Sequence, residues 1–277
     1  MSEDSLLTRL DADGVLTVTL NRPAVKNAFD TATQRRMTEV FYDASRTPAA
    51  RVVVLTGAGR AFSTGGDVKS LGSPDRGDPL AMQYAADPTW GEVEARADRL
   101  RKLTEASLWL YRMGKPTIAM VRGPAAGAGL SLALACDFRF ASDDAVFVTS
   151  FAKIGMSGDY GGSYFMTKLI GPAKTKELYM LSERVSATEA LRLGLITRLS
   201  AESELEAQTY EFARRLARGP AVALRYIKDN VHAALDEPLE RACEVELRNM
   251  IRCRMTQDSR EAMAAFAEKR EPRFGGF

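Results

Sequence analysis

KPTIAMVRGPAAGAGLSLALACD, residues 115–137, is the stretch from which the fold can be inferred. Thr117 to Val121 is a short apolar run of the kind that forms a strand buried on both faces of a sheet. Gly123 to Gly129 contains only glycine, alanine and one proline, and Leu130 to Ala135 continues as an apolar helix. A buried strand, a small-residue loop and a helix in direct succession indicate an α/β core.

A second loop of the same kind lies earlier in the chain. Arg51 to Thr56 (RVVVLT) has the pattern of a buried strand, and GAGRAFSTGGD follows it at Gly57 to Asp67. Small residues let backbone N–H groups approach a ligand oxygen, so two such loops side by side predict an oxyanion hole. Tight turns with close helix packing explain either loop equally well. Neither loop completes GxGxxG or GxxxxGK[ST], which excludes the usual dinucleotide and nucleotide-phosphate sites.

The rest of the chain extends this core at both ends. Leu6 to Leu10 and Val15 to Leu20 flank a DADG turn and predict a hairpin, and Asp30 to Ser45 predicts an amphipathic helix with Asp30 as N-cap. Beyond about residue 200 only helical periodicity remains. It covers four segments: Glu202 to Arg218, Ala221 to Leu235, Leu239 to Arg254 and Ser259 to Lys269. We therefore expect a β/α core over residues 1–200 that holds the site, and a helical region over residues 201–277.

Composition narrows the class of protein. The 277 residues are 45% hydrophobic, enough for a sizeable core, and 38 basic against 36 acidic side chains leave no basic block for nucleic acid or a membrane surface. The three cysteines lack zinc or redox spacing, as expected in a reducing compartment. No apolar run has the length of a signal peptide or membrane span. These features predict a cytoplasmic enzyme.

Seven motifs then carry a family resemblance. They are NRPxxxNA at Asn21 to Ala28, AFSTGGD at Ala61 to Asp67, KPTIAMVRG at Lys115 to Gly123, ACD at Ala135 to Asp137, GGSY at Gly161 to Tyr164, AxEALRLGLI at Ala187 to Ile196 and AFAEKREPRF at Ala265 to Phe274. In this order they resemble the crotonase superfamily of enoyl-CoA hydratases and isomerases. The resemblance spans nearly the whole chain. It implies a crotonase-like spiral of ββα units, a C-terminal helical trimerisation region, and a homotrimer or dimer of trimers.

The resemblance also implies an acyl-CoA substrate and a set of site residues. The two oxyanion N–H groups fall on Gly66 and Ala128. Substrate and CoA contacts are implied at Lys26, Ala28, Ser63, Gly65, Lys69, Gly127, Ser131, Phe151, Tyr160, Phe266 and Lys269. Lysine suits phosphate, although a solvated surface charge is the alternative for each lysine. No metal and no separate cofactor is expected, because coenzyme A is part of the substrate.

The expected acid/base residues depart from the hydratase pattern. Family hydratases carry two glutamates where this chain has Ser131 and Phe151, neither of which can activate water as a carboxylate does. Asp159, in GMSGDYGG, resembles the aspartate of some family isomerases, and desolvation would raise its pKa. One carboxylate suffices for a 1,3-proton shift. The alternative is that Asp159 caps the helix beginning near Gly161.

Three other acidic residues have structural explanations. We expect Asp67 to fix its loop through backbone N–H groups and Asp137 to support the ACD turn. Glu189 completes a capping box with Ser186.

Other functions remain open at this point. Ser131 in GLSLA, followed by Asp159 and His232, has the chain order of an α/β-hydrolase triad, although Ala133 replaces the last glycine of the elbow and His232 lies in a predicted helix. Acyl-CoA binding without turnover, hydration, thioester hydrolysis, decarboxylation and ring closure are further alternatives. The Gly-, Pro- and Asp-rich segment from Gly72 to Trp90 predicts a lid over the acyl end.

Overall fold

The computed structural model describes residues 4–67, 82–83, 86–89 and 91–276, and two sheets organise them. Their strands are β1 (Leu6–Leu10), β2 (Val15–Leu20), β3 (Val52–Gly57), β4 (Thr117–Val121), β5 (Pro124–Ala126), β6 (Phe138–Ser142), β7 (Val146–Val148), β8 (Val185–Ser186) and β9 (Arg198–Ser200). The larger sheet has the order β1-β2-β3-β4-β6-β9, parallel except for the β1–β2 hairpin. The smaller sheet has the order β5-β7-β8.

Helices follow the strands and then form the end of the chain. They are α1 (Thr31–Arg46), α2 (Val93–Leu103), α3 (Glu105–Arg112), α4 (Ala128–Ala135), α5 (Gly162–Ile170), α6 (Pro172–Leu181), α7 (Ala187–Leu193), α8 (Glu202–Ala217), α9 (Ala221–Asp236), α10 (Leu239–Arg254) and α11 (Gln257–Glu268). A strand of the larger sheet, then a strand of the smaller sheet, then a helix follow one another along the chain twice, as β4-β5-α4 and as β6-β7-α5. This is the spiral of ββα units that the resemblance implies.

The central strands are buried on both faces, as their apolar runs predict. On β3, Val53 and Leu55 belong to the main core with α1, α3 and α4. Val52 and Val54 point the other way, because successive side chains of a strand alternate between its faces, and they pack with α8. The first helix of the predicted helical region is therefore part of the core, and the division at residue 200 stays a prediction.

Local sequence signals give most of these boundaries. The hairpin has the predicted limits, and Asp30 caps α1, its Oδ1 accepting from the Thr33 backbone N–H at 2.8 Å. Strand β5 is an exception, since it lies inside the Gly123 to Gly129 loop. Its residues form a strand because Ala125 pairs with Ser63 on one side and Phe147 on the other, which are contacts between distant parts of the chain.

Within the residues described, no helix is long and apolar enough to cross a lipid bilayer. Most of the predicted lid, Gly72 to Trp90, lies outside the described residues.

Candidate active site

The NRPxxxNA motif holds the first glycine loop in place. The side-chain amide of Asn27 donates to the carbonyl oxygens of Ala58 at 2.9 Å and Ala61 at 2.8 Å. Ser63 donates through Oγ to the Asn27 carbonyl at 2.8 Å and accepts from the Gly65 N–H at 3.0 Å. Ser63 is fully buried, so its hydroxyl braces the loop. Asn27 was not among the predicted site residues, although its place in the motif was a usable signal.

The two glycine loops are in direct backbone contact. The Ala126 N–H donates to the Ser63 carbonyl at 2.9 Å. A Cβ on Gly129 would lie 2.6 Å from that same carbonyl oxygen, and one on Gly65 would lie 2.8 Å from the Ala128 nitrogen. Real Cβ atoms do not approach so closely, so both positions require glycine for packing.

Two backbone N–H groups at this contact are left without an acceptor in the described part of the chain. Phe29 donates to the Gly65 carbonyl and accepts from the Asp67 N–H, both at 2.8 Å. The N–H of Gly66, which lies between those two residues, takes no part in this pairing. Ala128 is the first residue of α4, where the N–H has no helical acceptor. Within the described part of the chain, a Cβ on Gly66 would meet no atom within 4 Å, so these residues leave an opening beside the loop. Two unpaired donors beside an opening can hydrogen-bond a carbonyl oxygen.

A third segment carries the candidate acid/base residue, Asp159. Oδ1 of Asp159 is buried and has no hydrogen-bond partner among the residues that the structure describes. Burial raises the pKa of this carboxyl to about 6. The N-cap of α5 is Gly161, and no side chain caps that helix. Asp159 is therefore not the helix cap that was the structural alternative.

Tyr160 fixes this segment against the first loop. Its ring centroid lies 6.0 Å from that of Phe29, whose backbone bridges Gly66. Tyr160 is buried, and its hydroxyl donates to the Leu103 carbonyl at 3.3 Å. Its φ of 52° lies in the left-handed region, which costs a residue with a Cβ some free energy and is sustained by the surrounding packing. Tyr160 thus acts as a support for Asp159.

Two hydroxyls and an aromatic ring, from Ser131, Tyr179 and Phe151, lie near the second loop and the segment that carries Asp159. Ser131 donates to the Gly127 carbonyl at 3.3 Å. Phe151 is 7% exposed and stacks on Tyr179 with ring centroids 6.1 Å apart. Tyr179 lies on α6, distant in sequence, and no sequence signal distinguished it. Neither position that carries a glutamate in family hydratases carries a carboxylate here.

The structure separates the predicted CoA contacts into two groups. Lys26 is exposed next to the first loop, where its carbonyl accepts from the Thr64 N–H at 3.1 Å, and Ala28 is 8% exposed in the same segment. Phe266, 88% exposed, is on α11 and Lys269 is the C-cap of that helix. Helix α11 packs against α10. Lys69 lies outside the described residues, and all these CoA contacts stay predictions.

The other acidic residues are engaged in structural contacts. Asp137 accepts from the Thr117 N–H at 2.8 Å and pairs with Lys228 of α9 at 2.9 Å, which confirms its structural role. Asp67 lies 3.9 Å from the Arg22 guanidinium. The capping box is only half formed. Ser186 accepts from the Glu189 N–H at 3.2 Å, while the Glu189 carboxylate pairs with Arg192 at 2.6 Å.

The hydrolase triad is not assembled. His232 stacks on Tyr111 with ring centroids 3.9 Å apart, and burial lowers the pKa of its imidazole. It lines an apolar cavity of about 360 Å³ between α9 and the core, to which Ser131 and Asp159 do not contribute. Nor does any hydrogen bond join His232 to either residue in the part of the chain that the structure describes. The serine-hydrolase alternative is therefore excluded.

Comparisons with known proteins agree with this arrangement. The family model described as enoyl-CoA hydratase/isomerase matches residues 11–276. Carnitinyl-CoA dehydratase of Escherichia coli K12 is 34% identical over 281 residues, covering 100% of both chains. Trans-2-decenoyl-[acyl-carrier-protein] isomerase of Streptococcus mutans is 29% identical, covering 95% of both. The crystal structure of an enoyl-CoA hydratase from Polaromonas sp. JS666 superposes with a TM-score of 0.84 at 30% identity, covering 97% of this chain and 99% of that one.

These matches extend over nearly the full length of the chain, in sequence and in structure alike. The solved relative shares the fold of this chain over 97% of its length. The chain belongs to the enoyl-CoA hydratase/isomerase family and has the crotonase fold.

Proposed function

We propose that this protein is an enoyl-CoA isomerase in which Asp159 carries the proton and the N–H groups of Gly66 and Ala128 stabilise the thioester oxygen. The observation that carries the proposal is the state of Asp159. Within the described residues its Oδ1 is buried without a hydrogen-bond partner and its pKa is raised to about 6, and the adjacent Tyr160 packs on Phe29, whose backbone pairs with the first loop. A structural carboxylate is normally hydrogen-bonded, whereas an acid/base group has a pKa near the working pH.

The proposed reaction moves a double bond by one position. The Asp159 carboxylate takes a proton from the α-carbon of a 3-enoyl thioester, and the C–H electron pair delocalises towards the carbonyl to give a dienolate. The Gly66 and Ala128 N–H groups hold the negative charge on the thioester oxygen. Asp159 then returns the proton to the γ-carbon, which gives the 2-enoyl thioester and restores the carboxylate. Each oxyanion donor typically contributes about 3 kcal/mol of barrier reduction.

Hydration is the less favoured chemistry because the second carboxylate is missing. Addition of water to an enoyl thioester needs one group to activate water and another to protonate the α-carbon. Ser131 is held by the Gly127 carbonyl and Phe151 has no titratable proton. The isomerase of Streptococcus mutans among the relatives supports double-bond migration, whereas the dehydratase of E. coli supports the alternative.

The proposed substrate is an acyl-CoA, and the proposed reaction uses no cofactor besides the coenzyme A of that substrate. Lys26 is an exposed cation beside the first loop and is proposed to contact a CoA phosphate.

We also propose that the protein assembles as a homotrimer or a dimer of trimers through its C-terminal helices. Large apolar side chains on these helices are exposed in the single chain, namely Leu239 at 74%, Leu247 at 68%, Met250 at 57%, Ile251 at 54%, Met255 at 74% and Met263 at 62%. Apolar surface of this extent on one region is typical of a subunit interface. In such an assembly Phe266 and Lys269 would complete the CoA site of a neighbouring subunit.

The decisive experiment is incubation of the protein with a 3-enoyl-CoA in deuterated water, with products identified by mass and retention time. We expect a 2-enoyl-CoA, which carries deuterium to the extent that protonated Asp159 exchanges with the solvent before it returns the proton. Rapid hydration of a short 2-enoyl-CoA without isomerisation would overturn the proposal in favour of a hydratase. Tight binding without product from a panel of acyl-CoAs would indicate a non-catalytic acyl-CoA-binding protein.

A further inference from the structure

The peptide unit between Gly127 and Ala128 has two functional ends. Its N–H belongs to Ala128 and is one of the two free donors of the site. Its carbonyl belongs to Gly127 and accepts two hydrogen bonds from Ser131, one from the backbone N–H at 3.0 Å and one from Oγ at 3.3 Å. A hydrogen bond to the carbonyl of a peptide polarises that peptide and makes its N–H a stronger donor. Ser131 therefore acts on the very group proposed to bind the thioester oxygen.

A tyrosine from α6 lies behind Ser131. The hydroxyl oxygens of Tyr179 and Ser131 both lie within 2.5 Å of the position that a Cβ on Gly162 would occupy, so the two hydroxyls are neighbours beside that glycine. The Tyr179 ring is held by stacking on Phe151 and by contact with Gly158, where a Cβ would lie 3.2 Å from Cε1. The hydroxyl thus has a fixed position.

We propose that Tyr179 is a positioning residue for the oxyanion hole: its O–H donates to Ser131 Oγ, which donates to the Gly127 carbonyl and so strengthens and aligns the Ala128 N–H. This relay deepens the proposed function and rests on the oxyanion role of Ala128. It does not depend on Asp159 or on the direction of the proton transfer. It gives Ser131 a role at a position where family hydratases use a carboxylate.

The charge state of Tyr179 suits this role. Burial raises the pKa of the phenol to about 12, against a smaller lowering by the Ser131 hydroxyl, so the group is a neutral donor over the working pH range. The Ser131 hydroxyl has one proton and uses it on the Gly127 carbonyl, which leaves its oxygen free to accept.

The test uses a chromophoric ligand, cinnamoyl-CoA, whose absorption shifts to the red when its thioester carbonyl is polarised. Three variants are compared with the wild type: Tyr179→Phe, Ser131→Ala and the double variant. We expect each single substitution to reduce the red shift of bound ligand and the double variant to reduce it no further, because both groups act through one peptide. The turnover number should fall about fivefold, the factor equivalent to one ordinary hydrogen bond, with KM changed less than twofold.

Tyr210→Phe is the matched control. Tyr210 is also a buried tyrosine, and its hydroxyl lies 2.7 Å from Thr17 Oγ1 in the core against α8. This variant loses one buried hydroxyl and should keep the full red shift and turnover.

Three results would overturn the relay. They are an unchanged red shift in Tyr179→Phe, additive losses in the double variant, and bound ligand without any red shift in the wild type. Should Tyr179→Phe fail to fold, an unchanged red shift in Ser131→Ala contradicts the relay and a reduced one supports it. A normal red shift in a protein that isomerises nothing would refute the proposed isomerase activity while leaving the relay intact.

Discussion

A Cβ on Gly65 would lie 2.8 Å from the backbone nitrogen of Ala128, so the two loops that present the free N–H groups touch through their backbones. The next residue differs sharply, because a Cβ on Gly66 would meet none of the described residues within 4 Å. Gly65 has a φ of 86°, in the left-handed region, and glycine is therefore required there for conformation as well as for packing. Gly65 is thus explained by conformation and packing, whereas at Gly66 neither neighbouring atoms nor packing among the described residues requires a glycine.

Substitution of these glycines should separate folding from function. Gly65→Ala must move the second loop or strain the first, and we expect it to destabilise the fold by about 2 kcal/mol and to abolish turnover. Gly66→Ala should leave the free energy of unfolding nearly unchanged and weaken acyl-CoA turnover, because its methyl group enters the open side of the site. Urea unfolding and steady-state kinetics measure both effects. Equal stability losses in the two variants would contradict this account of the loops.

Asp159→Asn tests the proposed base directly. The amide keeps the shape of the side chain and loses the ability to accept a proton, so isomerisation of a 3-enoyl-CoA should fall by at least about a hundredfold. Acyl-CoA affinity should stay within a few-fold of the wild type, because the thioester and CoA contacts are unaffected. Calorimetric binding and product analysis measure the two quantities. Near-wild-type turnover would mean that another group carries the proton.

The same carboxyl predicts how stability depends on pH. Burial raises the folded-state pKa of Asp159 from 3.8 to about 6, so the folded protein loses stability from this group as pH rises from about 4 to 7. Asp159→Asn lacks this dependence. The difference in unfolding free energy between Asp159→Asn and the wild type should therefore be about 2 kcal/mol more favourable to the variant at pH 8 than at pH 4. Any pH-independent cost of the amide is the same at both pH values and drops out of this comparison. A pH-independent difference in denaturant unfolding would show that the folded carboxyl titrates normally.

The ion pair between Asp137 and Lys228 should stabilise the attachment of α9 to the core. Its side chains are 16% and 9% exposed, so removal of one partner leaves a buried charge without compensation. Lys228→Met should lower the free energy of unfolding by about 3 kcal/mol, and Asp137→Asn in the same chain should recover part of the loss. The exposed pair of Arg241 and Glu244 is the control, since Glu244→Gln should change stability by less than about 0.5 kcal/mol. Similar losses for both pairs would contradict the effect of burial.

Assembly can be measured on the purified protein. Light scattering at micromolar concentration should give the mass of three or six chains. Leu247→Glu, on the exposed face of α10, should dissociate the assembly because it places a charge in the proposed interface. Asp98→Lys, on the exposed surface of α2, is a charge-change control that should leave the mass unchanged. A monomeric wild type would refute the proposed assembly.

The sequence was sufficient wherever a feature depends on residues close together along the chain. The alternation in β1 and β2 and the Asp30 cap of α1 are local, and the structure has them as predicted. The absence of glutamate at positions 131 and 151 is likewise fixed by the sequence alone. So is the presence of an aspartate among glycines at position 159, which the burial of its carboxyl now makes a stronger candidate base.

Only the tertiary structure could decide which distant residues support the site. Asn27 donates to three carbonyls of the first loop across more than thirty residues, and the hydroxyls of Tyr179 and Ser131, from two different helices, both lie beside Gly162. Strand β5 forms inside a glycine loop because Ser63 and Phe147 supply its partners. Such contacts depend on how the chain is packed, because a hydroxyl or amide has the same local propensity whether it faces solvent or a carbonyl. The sequence by itself therefore determined the elements and the chemistry available, and the packing of the loops against α5 and α6 decided which of those groups meet.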